Sequence, residues 1–190
     1  PLHAAAPASL VADLKTVARP GDSGGVGVQE PLLPFGDKLF FAGHEYSTGS
    51  ELWSSDGTAV GTSLVSDLCQ GGCSSYPELL GAARGSVVFF AEPLDTYGGS
   101  ELWRSDGTRE GTFSLGPVRG PCFNSFPWSA EIGGVVVFTT QGPESTCDFW
   151  RTDGTVAGTR QLMDAPVYDP PLEEPVGARG KVFFLVEENG

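Results

Sequence analysis

The sequence predicts an all-β fold, a β-propeller or a piece of one, built from four-stranded antiparallel meander blades repeating about every 48–50 residues. Three observations predict it. A segment beginning Ser50-Glu51-Leu52-Trp53-Ser54-Ser55-Asp56-Gly57-Thr58 and ending Gly61-Thr62 returns as Ser100 to Thr112 and as Cys147 to Thr159, with its tryptophans 50 and then 47 residues apart. Runs rich in Val and Phe recur at matching intervals, as short buried strands require. Finally, 27 glycines and 15 prolines punctuate a chain that is only 18% charged, the profile of strands joined by turns.

The elements follow in chain order. Residues 8–14 hold Leu10-Val11-Ala12-Asp13-Leu14, which matches Leu64-Val65-Ser66-Asp67-Leu68 and reads as the closing strand of a preceding blade. Pro20 to about Pro34 is Gly- and Pro-rich and reads as an exposed connector. A first blade is expected over 31–68, with Leu32 to Phe35 as a degenerate opening strand. The Phe-rich strand follows at Gly36-Asp37-Lys38-Leu39-Phe40-Phe41-Ala42. Its expected equivalents begin at Gly85, Gly133 and Gly180, aligned glycine on glycine. Blades over 77–118 and 126–165 open after Pro77 and Pro127, and a partial blade spans 174–190.

In each unit Glu-Leu-Trp suits a strand, Asp-Gly a tight reversal, and the strand after Gly-Thr closes the meander. Closing strands are expected at Leu64 to Leu68, Ser114 to Val118 and Gln161 to Ala165. The recurring residues Trp53, Asp56, Gly57 and Thr58, Trp103, Asp106, Gly107 and Thr108, and Trp150, Asp153, Gly154 and Thr155 are read as scaffold. Phe-rich strands and the tryptophans are expected to pack between neighbouring blades. Three complete units do not make a ring. The count points to a piece of a larger ring of about 6–8 blades, or to ends that pair with missing blades or another chain.

Net charge is −13, from 24 acidic and 11 basic residues. Such a surface repels nucleic acid and anionic lipid. No apolar run has the length of a membrane span. The first residues, Pro1 to Ala8, are compatible with what remains after an export signal is cleaved. The four cysteines sit in repeat-related loops, and the natural pairing is Cys69 with Cys73 and Cys122 with Cys147. A zinc site would want paired knuckles or more histidines than His3 and His44. Disulfides imply an oxidising compartment.

At Glu51-Leu52-Trp53, Asp56-Gly57-Thr58 and Gly61-Thr62, and again at Glu101-Leu102-Trp103, Asp106-Gly107-Thr108 and Gly111-Thr112, the chain resembles the ELWxxDGT repeat family of bacterial secreted and surface proteins, hyalin-like in type. The third copy departs with Asp148-Phe149 before Trp150 and keeps Asp153-Gly154-Thr155 and Gly158-Thr159. The resemblance covers nearly the whole chain and implies an extracytoplasmic propeller-type repeat domain. It carries over no catalytic residue.

Candidate chemistry is sparse. Asp56, Asp106 and Asp153 each stand alone before Gly-Thr, unlike the alternating ligands of a calcium loop. Glu51, Glu101 and Asp148 fall on different units, whereas glycoside cleavage needs two carboxylates about 5–10 Å apart. Repeat-equivalent Arg104 and Arg151 do not make a sialidase-like arginine cluster, and no Gly-x-Ser-x-Gly elbow is present. Trp128 is not demanded by the repeat, since its counterpart is Glu78. With Phe123 and Phe126 it offers an aromatic patch for a sugar or protein partner, or local core for the loop tied by Cys122. The reading is a non-enzymatic, secreted or cell-surface propeller, without cofactor or metal, that recognises a protein or surface glycan. The alternatives are an accessory or sensor module of a larger secreted protein, or a polysaccharide-active propeller enzyme.

Overall fold

The computed structural model describes residues 27–93, 99–122, 128–143, 146–167 and 176–183. The expected closing strand at 8–14 and the patch residues Phe123 and Phe126 lie outside them. The described chain is all-β. A first sheet runs β1 (Gly27–Phe35), β2 (Lys38–Glu45), β3 (Gly49–Ser55) and β4 (Ser63–Ser66). A second runs β5 (Glu78–Ala83), β6 (Ser86–Ala91), β7 (Glu101–Ser105) and β8 (Phe113–Pro117). The third comprises β9 (Ser129–Ile132), β10 (Val135–Gln141), β11 (Cys147–Thr152) and β12 (Arg160–Val167), and β13 (Val176–Ala178) and β14 (Lys181–Phe183) make a hairpin. Each four-stranded sheet is a meander in sequence order, antiparallel throughout.

Two-residue turns join the first two strands of each unit. Arg84-Gly85 and Arg179-Gly180 have positive φ at both positions, as does Gly133-Gly134, the backbone that matches strand twist in a hairpin. Gly36-Asp37 has it only at the glycine. This difference corrects the glycine-on-glycine alignment by one residue in the first and third units. The fixed point is instead the aromatic pair across the central strands: Phe41 opposite Trp53, Phe89 opposite Trp103 and Phe138 opposite Trp150. A one-residue slip moves every side chain to the other face, so packing decides the register and the turn glycine shifts to suit.

A second departure concerns the connector expected up to Pro34. Its latter part is strand, because β1 begins at Gly27 and pairs with β2 across an irregularity between Gln29 and Leu33. The closing strands also start one residue earlier than expected, at Ser63, Phe113 and Arg160.

Every unit repeats one irregularity that sequence reading missed. Opposite Leu52-Trp53 the partners are Ser66 and Leu64, leaving Val65 as an extra residue. Leu115 and Leu162 are the extra residues opposite Leu102-Trp103 and Phe149-Trp150. Such bulges bend a strand and increase its twist. Here they also return Val65 and Leu115 to the buried face.

The sheets pack face to face in chain order. In β6, Val87, Phe89 and Ala91 join Phe40, Leu52, Val65 and Leu79 in a core between the first and second sheets. The alternate residues Val88 and Phe90 join Leu80, Leu102, Leu115, Val136 and Phe138 in a core between the second and third. A strand buried on both faces is why that run is continuously apolar. Trp103 lies on the core with the preceding sheet and Leu102 on the core with the following one. The opening strands β1, β5, β9 and β13 neighbour one another in succession. Between β5 and β9 the Ser129 hydroxyl donates to Leu80 O at 2.6 Å, and the Ala82 N–H donates to Glu131 Oε1 at 2.6 Å.

Candidate functional site

Three arrangements bring together polar side chains that the sequence singled out, Asp56, Asp106, Asp153, Glu51 and Asp148 among them. The first is the Asp-Gly-Thr turn, which recurs as the same hydrogen-bond network in all three copies. Asp56 Oδ1 accepts from the Thr58 N–H at 2.8 Å and the Thr58 hydroxyl at 2.7 Å. Thr58 Oγ1 accepts from the Gly61 N–H at 2.9 Å, and the Thr62 hydroxyl donates to Thr58 O at 2.7 Å. Ser55 and Thr62 share a hydroxyl contact of 2.7 Å. Asp106 with Thr108, and Asp153 with Thr155, repeat the pattern.

The two glycines of the motif have different causes. Gly57, Gly107 and Gly154 have φ of 89°, 91° and 81°, where a Cβ is strained. Gly61, Gly111 and Gly158 are required for space, since a Cβ on each would collide with the carboxylate of Asp56, Asp106 or Asp153. The threonine bonds, chiefly from the hydroxyl, hold each aspartate below the usual carboxylate range. Such groups stay ionised and are poor proton donors near neutrality. The turns also dock on the preceding sheet: Gly107 lies against Phe40, and Gly154 against Ala83. Arg104 Nη1 donates to Gly154 O at 3.3 Å, and Arg84 reaches Asp153 at 3.6 Å.

The second arrangement centres on Glu51, which is fully buried. Its Oε1 accepts from the N–H groups of Cys69 (3.3 Å) and Ser75 (2.9 Å). Its Oε2 accepts from the Leu68 N–H (3.0 Å) and the Ser75 hydroxyl (2.6 Å). All the donors lie on the connector after β4, where Cys69 and Cys73 are joined. Burial pushes the Glu51 carboxyl up, and the four donors oppose that rise. Ser75 O in turn accepts from the Glu92 N–H at 2.7 Å, so the connector clamps the first sheet to the second.

The third arrangement is a cleft of about 660 Å³ between the second and third sheets. One wall is the residues just before β7 and the connector leaving β8, with Ser100, Arg119 and Gly120. The other is the end of β10 with the start of β11, bearing Thr140, Gln141, Asp148 and Trp150. The walls are tied together beside the opening. The Gln141 N–H donates to Gly120 O at 2.8 Å, Pro121 bridges Thr140, and Cys122 is joined to Cys147.

Both disulfides follow the pairing expected from spacing and suit an oxidising environment. Trp128 lies edge to face on Phe149, with centroids 5.5 Å apart and planes at 86°. The cleft is formed by other residues. It lies beside the one copy that departs from the repeat, Cys147-Asp148-Phe149, a departure that by itself pointed only to a local change at the strand edge. Glu51 carried no such signal, because its donors lie 17 to 24 residues away. No known protein family matches the chain, and no curated relative matches it.

Proposed function

We propose that the chain forms successive blades of an extracytoplasmic β-propeller of the ELWxxDGT type, a non-enzymatic module that recognises a protein or surface glycan through the cleft between its second and third sheets. The observation that carries this reading is how the repeat carboxylates are used. Asp56, Asp106 and Asp153 each bond within their own turn, and Glu51 binds its own connector. These four acids therefore serve the scaffold, and among the described residues the cleft is shaped to take a ligand.

Support for radial blades comes from the meander sheets stacked in chain order and from the opening strands β1, β5, β9 and β13 lying side by side. Secretion or surface display is supported by the two disulfides. The test is affinity electrophoresis of the oxidised full protein in polysaccharide-loaded gels, run beside an assay for new reducing ends. Retarded migration without reducing ends is expected. Release of reducing ends by the purified protein would overturn the non-enzymatic reading, and that activity would then be the function.

A further inference from the structure

We infer that the cleft between the second and third sheets is a binding site for a short neutral oligosaccharide, with Trp150 as its aromatic wall and Arg119, Gln141 and Asp148 as its hydrogen-bonding rim. This rests on the recognition reading above and names the ligand class.

Size comes first. A volume of about 660 Å³ falls within the roughly 300–1,000 Å³ of small-molecule sites. The chemistry of the walls then selects among ligands. Arg119 and Asp148 bring opposite formal charges, so the rim has no net sign. Ser100 and Thr140 add hydroxyls, and Gln141 adds an amide, which both donates and accepts. Walls that mix donors and acceptors without net charge match the hydroxyl edges of a sugar. Trp150 supplies an apolar face for the C–H side of a pyranose ring, leaving an amphipathic site.

Competing ligand classes fit less well. A lipid tail would want mostly apolar walls. A nucleic acid or acidic glycan would meet one arginine, Asp148 and a chain of net charge −13, with too few cations to neutralise it. An extended peptide gains its affinity by adding to a free strand edge, whereas β10 and β11 are each paired on both sides.

The site is also held in shape before any ligand arrives. Trp150 packs on the core of Val88, Phe90, Val136 and Phe138. The Cys122–Cys147 disulfide fastens the start of β11 to the connector that carries Arg119. Rigid walls lower the ordering cost of binding. The disulfide and the shortened acid Asp148 occur together in the third copy alone, at the place where the cleft forms.

The experiment is saturation-transfer-difference NMR on the oxidised full protein. Its probes are neutral gluco-, manno- and galacto-oligosaccharides of two to four units, alongside sialylated and uronic-acid oligosaccharides and a mixed peptide pool. Gln141→Ala and Arg119→Ala alter exposed side chains and should leave the thermal midpoint unchanged. Transfer to a neutral oligosaccharide, weakened tenfold or more in both variants, is the expected result. Neutral sugar binding that both variants retain would overturn the cleft as the site. Transfer only to acidic sugars or peptides would overturn the ligand class while leaving recognition standing. No transfer to any probe, with no retardation in polysaccharide gels, would overturn both readings.

Discussion

Ser75 gives both its N–H and its hydroxyl to the carboxylate of Glu51, at 2.9 Å and 2.6 Å, across 24 residues of chain. Both residues are fully buried, and the Ser75 carbonyl accepts from Glu92 at the end of the second sheet's Phe-rich strand. A single serine thereby couples two sheets. A bond to a buried carboxylate is worth about 1.5–3 kcal/mol, so Ser75→Ala should lower unfolding stability by that amount. Glu51→Ala should cost more, on the order of 3 kcal/mol or above, because the N–H groups of Leu68 and Cys69 and the Ser75 hydroxyl all lose their acceptor. Urea unfolding followed by tryptophan fluorescence measures both. Equal, small losses would show that the connector docks without this pair.

The spacing glycine of the turn gives a sharper test. Gly111→Ala sets a methyl group against the Asp106 carboxylate and should cost about 1–3 kcal/mol, as overpacking does. In an Asp106→Ala background the collision is gone and the added cost should disappear. A double-mutant cycle measures this coupling. If the cost of Gly111→Ala stays the same in both backgrounds, crowding by the carboxylate is not its cause.

Acid stability should report the three turns together. Asp56, Asp106 and Asp153 are held below their usual range by their threonines. Each therefore contributes stability that is present above the ordinary aspartate pKa, about 3.9, and is lost as pH falls through the lower folded value. Glu51 acts in the opposite sense. Its folded pKa is raised, so its contribution is present below about 4.3 and is lost as pH rises through the folded value. The Asp56→Asn, Asp106→Asn, Asp153→Asn triple variant should lose much less stability than the parent between about pH 4 and pH 2. Unfolding midpoints across that range decide it. Parallel curves for the two proteins would be the contrary result.

The two disulfides should differ in weight. Cys122 and Cys147 are 25 residues apart, and Cys69 and Cys73 only 4. Loop entropy gives about 3.5 kcal/mol for the longer link and about 2 kcal/mol for the shorter. Replacing each pair with serine and comparing denaturant midpoints should show the larger loss for Cys122→Ser with Cys147→Ser. That variant should also weaken any ligand held by the cleft, since the bond ties its walls together. The reverse ranking would mean that the short loop matters through Glu51, whose donors it positions.

What the residues alone determined was local or repeated. Asp-Gly-Thr makes a turn because the bonds of its aspartate and threonine each span four residues or fewer. Val87 to Ala91 reads as a strand buried on two sides because both alternating sets are apolar. The cysteine pairing followed from spacing within and between units. The tertiary structure alone decided the one-residue register of the first and third units, the bulge at Val65, Leu115 and Leu162, the clamp of Ser75 on Glu51, and the cleft beside Trp150. Each of these depends on which face a side chain meets across a sheet or between sheets. The turn sequence fixes only where the chain reverses. Close packing of Phe41 on Trp53, and of its counterparts in later units, sets how the strands align once it has.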